Sequence, residues 1–392
     1  MNTTALIAPK EPYEKLRIIM AGGGTGGHLF PSIAIAEAFL EKNASSDILF
    51  VSKGNAFEKK ALAYRGFRLV CIAAEGLKGR GLWRQLKAVF RLPAGVWRSW
   101  KVLKDFAPDV VIGVGGYASG PLMLAAWLQG IPVALHEQNM LPGITNRILF
   151  PLAHRVYVSF SNTRFKGNTS KMRYLGNPVR RQFLDIAQKI EPETKSETSS
   201  PISGAAACLF TVAVIGGSQG AHAINQTIVN MFALLHDQDR LHFIHQTGDA
   251  DFPMVREAYR RHDISGVAQP FFENMAECYR AADLLICRSG ATTIAEITAA
   301  GKPAILIPFP YAADNHQALN AGELAQASAA EIILEADLTP QVLVERIRRL
   351  AAQPAVLRQM AENARCLGKP LAAKHIVEDC YTFVHPNIHS RN

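Results

Sequence analysis

Three glycine-rich turns are the first places in this sequence where chemistry can happen. They are Gly22-Gly23-Gly24-Thr25-Gly26-Gly27-His28, Gly216-Gly217-Ser218-Gln219-Gly220 and Arg288-Ser289-Gly290-Ala291. Each follows a short apolar run and opens a helical one. Glycine lets the backbone turn tightly and lets a ligand approach the amides, while the helix that follows offers unpaired N–H groups and a partial positive charge to an anion. The same turns also serve plain strand–helix packing, so one alone is weak evidence. The third adds a polar face: Thr292 and Thr293 lie three or four residues before Glu296 and share its side of the helix. A carboxylate one turn inside such a helix can accept both hydroxyls of a ribose; the plain alternative is a solvated surface acid. Gly22-x-Gly24-x-x-Gly27 fits a dinucleotide fingerprint formally, but the next strand ends near Ser52-Lys53 with no acid. No turn is followed by a Walker lysine. Both arguments weigh against nicotinamide-dinucleotide and NTPase chemistry.

The turns need elements to hold them. Leu16–Ala21, Ile48–Ser52, Val110–Val114 and Val133–His136 read as strands, with helices over 30–42 and 119–130. Short, nearly continuous apolar strands between helices imply a parallel sheet covered on both faces. Residues 189–205 interrupt the pattern with Ser, Thr, Glu and two prolines, and read as a linker. The pattern restarts at Leu209–Ile215, His242–Gln246, Leu284–Cys287 and Ala304–Pro308. The expected class is α/β, with two Rossmann-like domains whose parallel sheets face a cleft. The boundaries drawn are a flexible extension 1–15, a first domain 16–185, a linker 186–207 and a second domain 208–370. A last helix near 371–384 is expected to return to the first domain.

Bulk properties narrow the class without choosing a ligand. The chain has 392 residues, 48% of them hydrophobic, and Lys plus Arg exceed Asp plus Glu by 42 to 33. That basic excess suits phosphate in a nucleotide, a nucleic acid or an anionic lipid. The cysteines, at 71, 208, 278, 287, 366 and 380, form no C-x-x-C pair, which argues for buried free thiols in a reducing compartment over a zinc or redox site. The first residues lack the apolar core of a signal peptide, and no run of about 20 apolar residues suggests a membrane span. Asp237-x-Asp239 and Asp249-x-Asp251 match a metal-binding triplet, but so short a pattern arises by chance. They are read as solvated loop acids away from the glycine turns, and no metal or cofactor is expected.

Six segments occur together in one order: GGGTGGH at 22–28, GGYASGP at 115–121, HEQN at 136–139, GNPVR at 176–180, GGSQGA at 216–221 and CRSGATTIAE at 287–296. Between about Leu16 and Phe383 the chain resembles the MurG family of N-acetylglucosaminyltransferases. The resemblance implies the GT-B fold and transfer of N-acetylglucosamine from its UDP ester to the 4-hydroxyl of an undecaprenyl-pyrophosphoryl muramoyl pentapeptide. It implies that Ala291, Thr292, Thr293, Ile294, Ala295 and Glu296 hold the uridine nucleotide, with Glu296 on the ribose, and that Ser218 and Arg180 meet the diphosphate. An arginine fork suits phosphate oxygens. Phe272 falls at the uracil, while Asn139 and the turn Thr25-Gly26-Gly27 approach the donor sugar. The family pair of glutamines after Pro308-Phe309 reads here as His316-Gln317, in a segment one residue longer; only Gln317 is carried over.

Inversion at the anomeric carbon needs a base for the incoming hydroxyl and help for the departing diphosphate. His28 closes the first turn, and an unperturbed imidazole titrates at about 6.5, so it is available as a base near neutrality. Positioning the acceptor pyrophosphate is its alternative role, and Glu137, at a strand end, is the alternative base. Residues 77–104 carry Trp83, Phe90, Trp97 and Trp100 among Arg and Lys with no acid up to Lys104, the composition of a helix lying in a lipid interface, although core packing with a basic outer face gives the same pattern. The implied setting is peripheral, on the cytoplasmic face of the bacterial inner membrane, among cell-wall synthesis and division proteins, with no nucleic-acid partner. Two rivals remain: another GT-B enzyme, such as a glycolipid synthase or the UDP-N-acetylglucosamine 2-epimerase, and a non-catalytic nucleotide-sugar binding module, which has no use for His28.

Overall fold

The computed structural model describes residues 14–72, 82–189, 209–217 and 220–384, with 82–92, 187–189 and Asp237 described at the backbone only. The calls on the 1–15 extension (up to residue 13), most of the 186–207 linker, the start of the basic segment, and Ser218 lie outside the described residues.

The first sheet is built from β1 (Arg17–Ala21), β2 (Asp47–Ser52), β3 (Arg68–Cys71), β4 (Val110–Gly113), β5 (Val133–Glu137), β6 (Arg155–Val158) and β7 (Met172–Tyr174), in the order β3-β2-β1-β4-β5-β6-β7. Its helices are α1 (Gly26–Lys42), α2 (Ala56–Ala63), α3 (Leu82–Phe106), α4 (Ser119–Leu128) and α5 (Ile144–Leu149). The second sheet holds β8 (Phe210–Ile215), β9 (Leu241–Gln246), β10 (Gly266–Gln269), β11 (Leu284–Cys287), β12 (Ala304–Leu306) and β13 (Ala330–Ile332), ordered β10-β9-β8-β11-β12-β13. Around it run α6 (Arg181–Lys189), α7 (His222–Met231), α8 (Phe252–Arg261), α9 (Met275–Ala281), α10 (Ala291–Ala300), α11 (His316–Gln326), α12 (Pro340–Ala351) and α13 (Pro354–Leu367). The chain closes on α14 (Ala372–Val384). Pairs such as β1–β2, β1–β4, β8–β9 and β8–β11 are all parallel.

Alternation along the central strands of the second sheet fills two cores. Ala213, Ile215, Leu285, Cys287, Ala304 and Leu306 face one, with Phe183 and Tyr279; Val212, Val214, Leu284, Ile286 and Ile305 face the other, with Ile228 and Leu343. Both faces of each strand are covered, which is why these strands read as continuous apolar runs. Helices start where the glycine turns end. α1 begins at Gly26, earlier than the 30–42 expected, because Pro31 is accommodated inside the helix and Ser32 Oγ donates to the His28 carbonyl at 2.6 Å.

Backbone contacts gather residues up to 136, 148–156 and the chain from 374 into one compact unit, and 137–147 with 157–373 into a second. Contacts thus draw the boundary earlier in the chain than the polar linker does, because Phe183 of α6 stacks edge-on against Tyr279 at 5.0 Å, inside the second unit's core. Within the first unit, α14 returns: the Tyr381 hydroxyl donates to the Glu14 carbonyl at 3.1 Å, and Arg155 pairs with Asp379 at 3.3 Å.

One aspartate of each triplet corrects an expectation, while Asp249 is exposed as expected. Asp239 is held by Arg348 through two nitrogens at 2.6 and 2.8 Å. Asp251 accepts from Asn225 Nδ2 at 2.8 Å and meets His222 Nδ1 at 2.9 Å. Neither is a solvated loop acid. Nor is the second triplet remote from a glycine turn, since Gly220 packs its Cα against the Thr247 carbonyl so closely that a Cβ would sit 2.4 Å from it. Asn225 also ties His245: its Oδ1 lies 3.0 Å from Nε2, while the Tyr259 hydroxyl lies 3.4 Å from Nδ1. Among the described residues, no group of three or more His, Cys, Asp or Glu could hold a metal ion.

Burial presses the His245 imidazole down to about 3, with Asp251 opposing the shift. The folded chain therefore binds fewer protons at this site than the unfolded chain. Its contribution is complete above about pH 6.5 and is lost as pH falls towards about 3, by up to about 1.4 kcal/mol per pH unit. Thermal unfolding followed from pH 7 to 4 should show this loss, and His245→Gln should flatten it. An unchanged slope in the variant counts against the assignment.

Candidate donor-nucleotide site

The third glycine turn is the best-built feature of the second unit. Gly290 is the N-cap of α10 and has no side chain with which to cap it, so the positive end of the helix dipole is presented at this turn. Gly301, at φ +58°, ends the helix in the left-handed region. Arg288 pins the turn, donating to the carbonyls of Ile307 and Pro308 at 3.2 and 3.3 Å.

Glu296 is buried, which removes the surface-acid alternative. Nε and Nη2 of Arg180 converge on its Oε1 at 2.9 and 2.8 Å. Oε2 takes no bond from any described residue. Desolvation raises the Glu296 carboxyl, and the charge and hydrogen bonds of Arg180 pull it back. A carboxylate buried beside a guanidinium, with one oxygen uncommitted, is a prepared acceptor for a hydroxyl. Arg180 and Glu296, which sequence resemblance gave to different parts of the nucleotide, are brought into direct contact.

Gln317 and Asn139 join through a residue that the sequence reading missed. Asn320, fully buried on α11, donates through Nδ2 to Asn139 Oδ1 at 3.2 Å and to the Ser289 carbonyl at 3.3 Å, and its Oδ1 accepts from the Met140 amide at 3.2 Å. Gln317 Oε1 accepts from the Phe309 amide at 3.0 Å, and its carbonyl accepts from Ser289 Oγ at 2.8 Å. The Phe272 amide donates to Gln246 Oε1 at 3.1 Å. Its ring sits half-buried against the α9–α10 core. Ala291 and Ile294 face that core, while Thr292, Thr293 and Ala295 are half-exposed.

Glu137 is fully buried, and its carboxylate is consumed by its own loop. Oε1 accepts from the Asn139 amide at 2.9 Å; Oε2 accepts from the Gly143 amide at 3.0 Å and from Asn146 Nδ2 at 2.8 Å. Burial raises this carboxyl and the loop bonds lower it. The geometry is that of a loop organiser.

The first glycine turn belongs to the other unit. Gly22, Gly23 and Gly24 have φ of +117°, +145° and +100°, conformations that a side chain rarely adopts. A Cβ on Gly22 would lie 2.1 Å from the Gly115 carbonyl oxygen. Glu58 Oε1 accepts the Gly24 amide at 2.7 Å, while Asn55 Nδ2 donates to the Gly24 carbonyl at 2.9 Å. Thr25 is the N-cap of α1 and makes no side-chain cap bond; Gly26, Gly27 and His28 form the helix's first turn, with His28 half-buried. On α3, Trp97 and Trp100 are exposed, with Lys101 Nζ 3.9 Å from the Trp97 ring. Trp83 and Phe90 lie on the same helix, but their side chains are outside the described residues.

Residues 18–158 match the glycosyltransferase family 28 N-terminal domain, and 211–376 match the family's C-terminal domain. The chain is 45% identical over 370 residues to the UDP-N-acetylglucosamine--N-acetylmuramyl-(pentapeptide) pyrophosphoryl-undecaprenol N-acetylglucosamine transferase of Syntrophus aciditrophicus, covering 94% of this chain and 99% of that one. The enzyme of the same description from Geobacter metallireducens is 42% identical over 368 residues, covering 94% and 98%. The crystal structure of Acinetobacter baumannii MurG superposes with a TM-score of 0.71 at 28% identity, covering 93% of this chain and 99% of that one. A putative UDP-N-acetylglucosamine 2-epimerase from Listeria monocytogenes, at 13% identity and a TM-score of 0.66, shares the fold alone. The chain therefore belongs to glycosyltransferase family 28, among the MurG N-acetylglucosamine transferases, and has their two-domain GT-B fold.

Proposed function

We propose that this protein transfers N-acetylglucosamine from UDP-N-acetylglucosamine to the 4-hydroxyl of an undecaprenyl-pyrophosphoryl muramoyl pentapeptide, with inversion. The observation that carries the reading is the Arg180–Glu296 pair on the helix that the Gly290 turn opens. The positive N-terminal end of α10 and the Arg180 guanidinium suit a diphosphate, and the uncommitted Glu296 oxygen suits a ribose hydroxyl. As the glycosidic bond breaks, negative charge grows on the diphosphate, and these groups stabilise it. Asn139 and Gln317, tied into one network with Asn320, are assigned to the sugar, Phe272 to the uracil and Ser218 to the diphosphate. His28 is assigned as the base that takes the proton of the acceptor hydroxyl, with Thr25-Gly26-Gly27 beside it. Glu137 shapes the loop that carries Asn139. Incubation with UDP-N-acetylglucosamine and the lipid-linked muramoyl acceptor, scored for lipid-linked disaccharide and released UDP, tests the reading; free sugar or an epimer in place of the disaccharide sinks it.

The protein is further proposed to work peripherally, on the cytoplasmic face of the bacterial inner membrane. No described helix is long and apolar enough to cross a membrane. Pro93, Val96, Trp97, Trp100 and Leu124 line a shallow apolar hollow, with Trp127 and Leu128 also exposed on α4. Aromatic rings among Lys and Arg suit a lipid interface.

Three outcomes follow from these roles. Glu296→Gln keeps the shape of the side chain and removes its charge, so calorimetry should show UDP affinity falling about 10- to 100-fold; unchanged affinity means the ribose lies elsewhere. His28→Ala should lower turnover about 100- to 10,000-fold with donor affinity nearly intact. A raised KM for acceptor with normal turnover assigns His28 to positioning instead. Binding to anionic vesicles should weaken as salt rises, because charge is screened while aromatic burial is not. Trp97→Ser combined with Trp100→Ser should remove what survives at high salt, with activity on a short-chain soluble acceptor retained.

A further inference from the structure

The side-chain amide of Asn320 has an orientation that the backbone dictates. The Met140 N–H can only donate, so the atom 3.2 Å from it is the Asn320 oxygen. The Ser289 carbonyl can only accept, so the atom 3.3 Å from it is the Asn320 nitrogen. Two main-chain groups of opposite sense thus settle a choice that an amide with side-chain partners alone leaves open. Asn320 is 0% exposed, so no water would make good an amide turned the wrong way.

The second hydrogen of the same nitrogen passes that polarity on. It meets the Asn139 side chain at 3.2 Å, and a donor needs an acceptor there, so Asn139 turns its oxygen to Asn320 and its nitrogen away. Glu137 favours the same sense. Its Oε1, which accepts from the Asn139 main-chain amide at 2.9 Å, lies 3.5 Å from Asn139 Nδ2, at the long limit of a hydrogen bond. Asn139 is half-buried, and its nitrogen carries two hydrogens. One makes the long contact with Glu137, and no described residue takes the other. The side chain therefore offers an N–H, while its carbonyl is already engaged.

We propose that Asn320 is a positioning residue for the donor sugar: it fixes Asn139 as a hydrogen-bond donor, so the sugar has to place an acceptor oxygen at that point. The inference rests on the assignment of Asn139 to the sugar. The same Asn320 nitrogen holds the Ser289 carbonyl, one residue before the N-cap of α10. The amide that reads the sugar and the turn that opens the nucleotide helix thus share one support. The turn has a second hold, since Ser289 Oγ donates to the Gln317 carbonyl at 2.8 Å, whereas among the described residues the Asn139 oxygen has Asn320 alone.

Calorimetry of the full chain with UDP-N-acetylglucosamine and with UDP tests this. Asn320→Asp keeps the shape and the acceptor for Met140 but has no amide N–H for Asn139. Affinity for UDP-N-acetylglucosamine should fall about 10-fold, with UDP affinity within about 3-fold of wild type. In an Asn139→Ala background the same change should cost the sugar nucleotide less than about 3-fold, because the group through which it acts is gone. Asn139→Asp retains the oxygen that meets Asn320 and loses the nitrogen, so it should weaken UDP-N-acetylglucosamine at least as much as Asn139→Ala. If Asn320→Asp does not fold, Asn320→Ser takes its place in the same cycle. An equal loss for UDP and its sugar ester marks a merely structural role. That result, additive losses in the cycle, or wild-type affinity in Asn139→Asp overturns the proposal. A wild type that binds neither ligand sinks the donor-site reading and this inference with it; one that binds both, with additive variants, sinks the role of Asn320 alone.

Discussion

A buried carboxylate cannot be left without a partner. Glu296 gives up most of its water to sit on the second turn of α10, and only Arg180 among the described residues offers it charge in return. Pairs of this kind are costly to desolvate and often add little to stability, so their persistence asks for another reason. Here the reason lies in the asymmetry of the contact. Both arginine nitrogens meet the same oxygen, leaving Oε2 uncommitted. The pair holds its carboxylate aimed, and the surrounding core keeps it from drifting: Phe183 lies under the guanidinium at 5.2 Å and stacks against Tyr279.

The rest of the second unit keeps α10 and its turn where that carboxylate needs them. Asn320, Ser289 and Gln317 lock the turn to α11, and Arg288 locks it to the end of β12. Each of these locks binds a backbone carbonyl, which fixes the course of the loop itself. The first unit solves the same problem differently. There Glu58 both caps α2 and accepts the Gly24 amide, so one carboxylate holds a neighbouring helix and the turn together. In that unit the glycine turn spends the Gly24 amide on the protein.

What could be read from the sequence follows from how local each signal is. Glycine turns, apolar runs and the Thr292–Thr293–Glu296 spacing are contiguous, and the structure places strands and helices around them with shifts of a few residues. The polar linker was equally visible, but it did not mark where packing changes hands, because Phe183 and its neighbours already belong to the second unit's core before the linker begins. The locking residues were not legible. Asn320 lies 181 positions from Asn139, and Glu58 lies 34 from Gly24, so no spacing rule reveals either. The partner of Asp239 was hidden for the same reason: it finds Arg348 across 109 residues, and a polar stretch gives no hint of so distant a partner.

Glu137 shows how geometry separates two roles that composition leaves together. From sequence alone, an acid at a strand end beside Gln138 and Asn139 is as good a base as a histidine closing a glycine turn. A general base, however, needs a lone pair turned towards its substrate. Each oxygen of Glu137 is already engaged by its own loop, one by the Asn139 amide and the other by the Gly143 amide and Asn146. Taking up a proton would require giving up bonds that shape the loop, so protonation and loop order oppose each other. His28 sits half-buried in the first turn of α1, where the backbone of the turn is fixed by Glu58 and by the close approach of Gly115. What Glu137 would have to surrender is the physical ground for proposing architecture rather than proton transfer for the glutamate.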